Sequence, residues 1–334
     1  KTLSYSGAAL SLGAYTLTMS GEGRFSNSNA LDLNNASSKL LLSSSITVDR
    51  VSTSLASLGL DVDADSTVSH LTVAHTTPVS IASGKTLYGT ITVTAGSIKL
   101  AEAGTLASSV SMSGGTLDAD ESSTVFGTLS QSGNITIDVA SGKTLTYSGD
   151  EISLGAYTMT MSGGGTLGNT NAFVLNNASS KLLLGSITVD NVSTSLASLG
   201  LDVDNSSTVS SLTVAHTTPV SIASGKTLSG AVTVTAGSIK LGEAGTLAST
   251  VSMSGGTLDA DESMTLSGAL TQGGAITIDV ATGKTLSYSG ASLSLGAYTL
   301  TMSGGGTLGN TNALDLNNAS SKLLLDSITV DNVS

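Results

Sequence analysis

The chain has 334 residues, a net charge of −12, no cysteine and only 3% aromatic residues. The missing cysteines exclude disulfides and thiolate metal sites, and the acidic balance argues against a nucleic-acid partner. Apolar runs stay far below the ~20 residues of a membrane span, so membrane insertion is not expected. With 39 Gly, 2 Pro and a mean hydropathy of +0.29, the composition favours a β protein rich in turns over a disordered linker.

Long tandem repeats organise the sequence. The segment that begins at Lys1 with Lys-Thr-Leu-Ser-Tyr-Ser-Gly returns at Lys143 and again at Lys284, and most positions are identical between copies. The chain therefore divides into repeats 1–142, 143–283 and a truncated 284–334, which we expect to form one continuous solenoid over 1–334.

A shorter period lies inside each long repeat. Apolar residues that follow a Thr or a related polar residue recur every 19–22 residues, seven times per long repeat. In the first repeat these anchors are Leu3, Phe25, Ile46, Val68, Leu87, Leu106 and Val125. A period near 20 residues with strand-like alternation is typical of one coil of a parallel β-helix.

The coil at residues 85–103 illustrates the predicted elements in chain order. Short strands are expected at 86–87, 91–94 and 97–100, with turns at Gly89, at Ala95-Gly96 and at 101–104. Alternation puts five aliphatic residues on the inner face: Leu87, Ile91, Val93, Ile98 and Leu100. The predicted fold is all-β, a parallel β-helix (β-solenoid) of about 16 coils of 19–22 residues with three short strands per coil. Leucine-rich repeats, propellers and β-sandwiches fit this period less well.

Two inner stations depart from the apolar pattern. Gln131 and Gln272 occupy the station that Met112 and Met253 fill one coil earlier. A buried amide needs hydrogen-bond partners, so we expect each Gln to bond to backbone or water inside the coil, or else to mark a local register shift that turns it outward. If the side chain points inward, Met is expected to be the stabilising replacement.

Acidic residues at coil corners are the candidate metal ligands. Carboxylates at alternate positions suit Ca²⁺, but the spacing lacks the features of EF-hand and calcium β-roll motifs. We interpret them as solvated corners, keep a weak Ca²⁺ site as the alternative and expect no other cofactor. The candidates are Asp61, Asp63, Asp65, Asp118, Asp120, Glu121, Asp202, Asp204, Asp259, Asp261 and Glu262.

A ladder of hydroxyl residues is the most regular predicted surface feature. Its members alternate with inner residues of the second strand of each coil: Thr92, Thr94, Ser111, Ser113, Thr233, Thr235, Ser252 and Ser254. Small hydroxyl residues suit a tightly stacked sheet, and contact with ice or glycan is the alternative interpretation.

Catalysis is not predicted. His75 recurs as His216, no G-x-S-x-G elbow between strand and helix is found, and only two arginines, Arg24 and Arg50, are available for a basic groove. A polysaccharide-active β-helix enzyme therefore remains only a remote alternative.

Three features extend over the whole chain: recurring Gly-Lys-Thr-Leu and Gly-Gly-Thr-Leu steps, a bias towards Ser, Thr and Gly, and the lack of Cys. With them the chain resembles the repetitive β-helical stalks of secreted bacterial surface proteins, such as large adhesins, filamentous-haemagglutinin-like proteins and autotransporter passengers. The resemblance implies an extracellular or cell-surface structural protein. Residues 1–20 match the internal segment 143–162, which predicts that its partner is itself, by head-to-tail continuation or stacking, with glycan or surface contact left open.

Overall fold

The structure, a computed structural model, describes residues 1–101 and 103–334. Glu102, which the sequence places in a closing turn, lies outside the described residues. All regular elements among the described residues are β-strands. The described residues contain no helix that is long and apolar enough to cross a membrane. The chain divides into unit 1, residues 1–152 and 159–171, and unit 2, residues 153–158 and 172–334.

The strands follow one another through short turns. Within residues 1–151 they are β1 (Thr2–Tyr5), β2 (Leu10–Ser11), β3 (Thr16–Met19), β4 (Gly23–Asn27), β5 (Leu31–Leu33), β6 (Lys39–Leu42), β7 (Ile46–Thr53), β8 (Gly59–Val62), β9 (Ser66–Val73), β10 (Thr77–Ile81), β11 (Thr86–Val93), β12 (Ser97–Leu100), β13 (Thr105–Met112), β14 (Thr116–Ala119), β15 (Ser123–Val125), β16 (Leu129–Gln131), β17 (Ile135–Val139) and β18 (Thr144–Tyr147). Between 152 and 171 they are β19 (Ile152–Ser153), β20 (Thr158–Ser162) and β21 (Thr166–Asn169).

The strands of residues 172–334 repeat this order. They are β22 (Phe173–Leu175), β23 (Lys181–Gly185), β24 (Thr188–Thr194), β25 (Gly200–Asn205), β26 (Ser207–Val214), β27 (Thr218–Ile222), β28 (Thr227–Val234), β29 (Ser238–Leu241), β30 (Thr246–Met253), β31 (Thr257–Ala260), β32 (Met264–Leu266), β33 (Leu270–Gln272), β34 (Ile276–Val280), β35 (Thr285–Tyr288), β36 (Leu293–Ser294), β37 (Thr299–Ser303), β38 (Thr307–Asn310), β39 (Leu314–Asp315), β40 (Lys322–Leu325) and β41 (Thr329–Val330).

Each unit is a parallel β-solenoid, and the chain has about 16 turns with about three strands per turn, which confirms the predicted fold class. Strands one coil apart pair in parallel and in register: β11 pairs with β13 from Thr86↔Thr105 to Val93↔Met112, and β28 pairs with β30 in the same way. A period of about 20 residues therefore places equivalent stations directly beside one another.

The core of each unit is a column of stacked aliphatic side chains. The five inner residues predicted for the coil at 85–103 are at most 2% exposed, and so are Leu106, Val110, Met112 and Leu117 of the next coil. Burying such a side chain contributes roughly 1.5–3 kcal/mol. Because the covering atoms come from neighbouring coils, no coil is expected to fold alone.

One turn of the prediction takes a different form. Gly89 does not end a strand, because β11 runs through it and shifts register against β9 between Gly89 and Thr90. Its φ is +138°, and a Cβ here would lie 1.7 Å from the carbonyl oxygen of Val68. Glycine thus permits the close approach of two coils at this bulge. Elsewhere the first two strands stay separate, as in β15 and β16.

The predicted bonding of an inner Gln is confirmed for Gln272. Its Nε2 donates to the carbonyl oxygens of Gly274 at 2.9 Å and of Thr299 at 2.8 Å. The side chain is half-buried beside Met253, and its Oε1 accepts no hydrogen bond from the described residues. Gln272 therefore ties a turn of its own coil to the following coil.

This arrangement reverses the effect expected of a Met replacement. Gln272→Met leaves two carbonyl oxygens without their donor, so we expect it to lower the free energy of unfolding by about 1–3 kcal/mol in urea titrations. Met253→Leu, an apolar exchange at the same station, is the control and should cost less than about 1.5 kcal/mol. Unchanged or increased stability of Gln272→Met would show that the two bonds contribute nothing net.

Candidate functional site

The three acidic candidates at the first corner have different surroundings. Asp61 forms a salt bridge with Lys39 of the preceding coil. Asp63 is exposed, and Asp65 uses Oδ1 to accept the backbone N–H of Thr86 at 2.8 Å. Two of these three carboxylates are thus engaged by groups of neighbouring coils.

The second corner shows the same use of lysine more fully. The Nζ of Lys99 lies 3.3 Å from Asp118 Oδ2 and 3.1 Å from Asp120 Oδ2. Glu121 pairs with Lys143 at 2.5 Å. In each case the lysine and the carboxylate lie in adjacent coils, so the ion pairs join one coil to the next.

The second copies repeat this pattern in unit 2, where Asp204 is exposed. The pairs are Lys181 with Asp202, Lys240 with Asp259 (3.2 Å) and Asp261 (3.8 Å), and Lys284 with Glu262 (2.5 Å). Since the partners remain partly exposed, each pair contributes at most about 1 kcal/mol.

The calcium alternative gains no geometric support from these corners. Among residues 1–101 and 103–334, no group of three or more His, Asp or Glu side chains is arranged to hold a metal ion. Lysine ammonium groups occupy positions beside the carboxylates that a cation would need. The corners act here as inter-coil ion pairs, and calcium binding stays an untested prediction.

Stacking also brings like charges together. Asp118 pairs directly across the sheet with Asp138 of the next coil. Burial raises the pKa of Asp118 above its ordinary value, the charges of Asp120 and Asp138 raise it further, and Lys99 opposes this change. Burial likewise raises the pKa of Asp259, the equivalent carboxyl in unit 2.

The hydroxyl ladder forms continuous columns, because the paired strands are in register. In unit 1 one column consists of Ser52, Thr72, Thr92, Ser111 and Ser130. In unit 2 it consists of Ser193, Thr213, Thr233, Ser252 and Thr271. We call these two sets the hydroxyl columns; their members are spaced by roughly 4.8 Å along the stack.

The remaining ladder residues lie two positions further along. Thr94, Ser113, Thr235 and Ser254 are exposed. The hydroxyl of Thr94 donates to the carbonyl of Val73 at 3.3 Å, and that of Thr235 does the same to Val214.

A shallow cavity of about 180 Å³ opens beside the column of unit 2, lined by Thr233, Ser252, Met253, Ser254, Thr271, Gln272 and Gly273.

One exposed group escaped the sequence prediction. Tyr88 is 47% exposed and Phe126 is 61% exposed, on the same side of unit 1 as the exposed side chains of Arg50 and His70. The signal in the sequence was their failure to recur: the second repeat has Ser229, Ser267, Asn191 and Ser211 instead.

Comparison of the chain with protein-family models, with curated proteins and with solved structures found no match.

The raised pKa of Asp118 and Asp259 makes stability depend on pH. Above the ordinary Asp range, the folded chain retains protons that the unfolded chain has released, so the free energy of unfolding should fall as pH rises through this window. Asp118→Asn with Asp259→Asn should flatten the decline in urea titrations across mildly acidic pH. The control Asp63→Asn removes one exposed carboxylate and should retain the decline in the free energy of unfolding. An equal decline in the double variant would contradict this assignment.

Proposed function

We propose that the chain is an extracellular structural protein, a repetitive β-solenoid stalk or filament subunit of a cell-surface fibre or adhesin. One observation carries the proposal: each coil presents a backbone ladder and aliphatic side chains to its neighbour, and lysine–carboxylate pairs between coils recur at equivalent positions of the long repeats. Such a design adds length with each copy and requires no feature made only once. The proposal assigns the chain no catalytic reaction.

Self-stacking belongs to the same proposal. The stations of residues 1–20 match those of the internal segment 143–162, so a second copy offers a chemically suitable neighbour to a coil of the first. A contact of this head-to-tail kind is heterologous and generates an open filament unless its rotation closes. The partner of the chain would then be another copy of itself.

Duplication of the middle repeat tests the structural role. A chain with a second copy of residues 143–283 gains seven coils, and we expect its maximum dimension in small-angle scattering to increase by about 34 Å at constant cross-section. A particle that widens instead would contradict the length-building role. Sedimentation of both chains tests self-stacking: oligomers that grow with concentration are expected, and a persistent monomer contradicts it.

The hydroxyl columns favour a second function, the binding of ice or glycan. Their regular register in both units and the shallow cavity beside Thr271 are the specific observations. Such a surface offers a periodic set of donors and acceptors on a fixed backbone.

Bulky residues on both units test this second function. Thr92→Tyr, Thr94→Tyr, Thr233→Tyr and Thr235→Tyr, combined in one chain, should abolish thermal hysteresis of ice growth and reduce retention on arrays of uncharged glycans, because the large rings disrupt the spacing of the hydroxyls. Lys85→Ala, at a coil corner, is the control and should keep both activities. If the parent chain shows neither activity, the candidate is eliminated.

A further inference from the structure

The two long repeats differ in chemistry on one exposed surface of unit 1. We define the first-repeat surface as Arg24, Arg50, His70, Tyr88 and Phe126. The second repeat has Thr166, Asn191, Ser211, Ser229 and Ser267 at the equivalent positions. Every aromatic or cationic member has thus been exchanged for a small or neutral one, whereas the aliphatic core and the hydroxyl columns persist.

The register of the strands places three members on one column. Arg24 pairs with Thr47, Thr47 with Thr67, and Thr67 with Tyr88. Tyr88 pairs with Ala107, and the backbone N–H of the next coil's Phe126 donates to the carbonyl of Leu106 at 2.9 Å. The column therefore runs through Arg24, Thr47, Thr67, Tyr88, Ala107 and Phe126.

The other two members form the adjacent column. Arg50 pairs with His70, and His70 pairs with Thr90. Thr90 lies two residues after Tyr88 on β11, so the two columns are neighbours on the same sheet. Residues separated by up to 102 positions in the sequence, Arg24 and Phe126, thereby share one surface.

The aromatic rings offer separate stacking positions. Tyr88 and Phe126 are 47% and 61% exposed, and they lie two coils apart, about 10 Å along the stack. The small side chain of Ala107 lies between them. Because the rings are spaced in this way, they offer two separate apolar contacts and form no continuous apolar patch.

The charge of the surface is unusual for this chain. The first-repeat surface holds both arginines of a protein with a net charge of −12. Arg24 forms a 2.8 Å salt bridge with Asp49, and its hydrogen bond is the main cause of the lowered pKa of that carboxyl. In the part of the chain that the structure describes, Arg50 is exposed and has no carboxylate within salt-bridge distance, although its charge also lowers the pKa of Asp49; its guanidinium donors therefore remain accessible to an anion.

We propose that the first-repeat surface binds a β-linked polysaccharide that carries carboxylates and lies along the stack of coils. The apolar face of a sugar ring stacks on an aromatic side chain. The length of one pyranose unit along the polysaccharide is similar to the roughly 4.8 Å rise from one coil to the next. Alternate rings of a β-linked chain present the same side, which matches aromatic residues two coils apart. Arg50 supplies a fork of donors for a carboxylate, and the neighbouring hydroxyls bind the sugar hydroxyls.

This activity goes beyond the proposed structural role and is separate from the hydroxyl columns. Those columns occur in both units, whereas the first-repeat surface occurs once. It therefore predicts one site per chain, and the measurement can succeed or fail irrespective of whether the chain builds length.

Titration calorimetry of the full chain with hyaluronan octasaccharide tests the proposal, with neutral cellohexaose as the uncharged β-linked probe. We expect one site for hyaluronan, an affinity that falls with added salt because the ion pairs are screened, and weaker binding of cellohexaose. No binding of hyaluronan, equal binding of both probes, or capture of an acidic protein in its place would overturn the proposal.

The second repeat provides substitutions that its own coils already accommodate. Tyr88→Ser with Phe126→Ser, and separately Arg50→Asn with His70→Ser, should each weaken hyaluronan binding at least about tenfold. The reciprocal changes Ser229→Tyr, Ser267→Phe, Asn191→Arg and Ser211→His should raise the stoichiometry towards two. Unchanged affinity in both loss variants would overturn the proposal even if the parent chain binds.

Discussion

Everything in this molecule depends on the burial of each coil's aliphatic side chains by the coils on either side. Leu87 and Leu106 occupy the same station in successive coils and are each at most 1% exposed. A coil of about 20 residues has too little apolar surface to enclose its own interior, so the core exists only as a column. The backbone ladder between coils satisfies the strand N–H and C=O groups in the same step.

Register then governs the electrostatics. Equivalent stations in successive coils are roughly 4.8 Å apart. A charged side chain therefore lies close to the side chains at the same station in both neighbouring coils. Lys99 beside Asp118 is a favourable consequence, and Asp118 beside Asp138 is an unfavourable one. Hydroxyl residues stack with little penalty, which accounts for their abundance on the outside.

Exposed stations differ in chemistry between the long repeats more than core stations do. Most core stations keep an aliphatic residue in both repeats, and the change from Leu31 to Phe173 stays apolar, while exposed stations change from Tyr88 to Ser229 or from Arg50 to Asn191. A solenoid can therefore acquire a local binding surface without loss of stacking, because exposed side chains contribute little to the column. This separation makes a structural role and a binding role compatible in one chain.

The sequence by itself determined the period, the parallel stacking and the identity of the inner residues, because burial on a strand follows alternation and the repeat length sets the register. Only the tertiary structure decided which groups meet across coils. Local geometry between coils determines three such features: the bulge at Gly89, the salt bridge of Lys39 with Asp61, and the hydrogen bond from Gln272 to Thr299. Likewise, Arg50, His70 and Tyr88 are distant in sequence and become neighbours only through strand register. A contact between separate coils also depends on bulges that displace the pairing by one residue, and a period of 19–22 residues does not locate them.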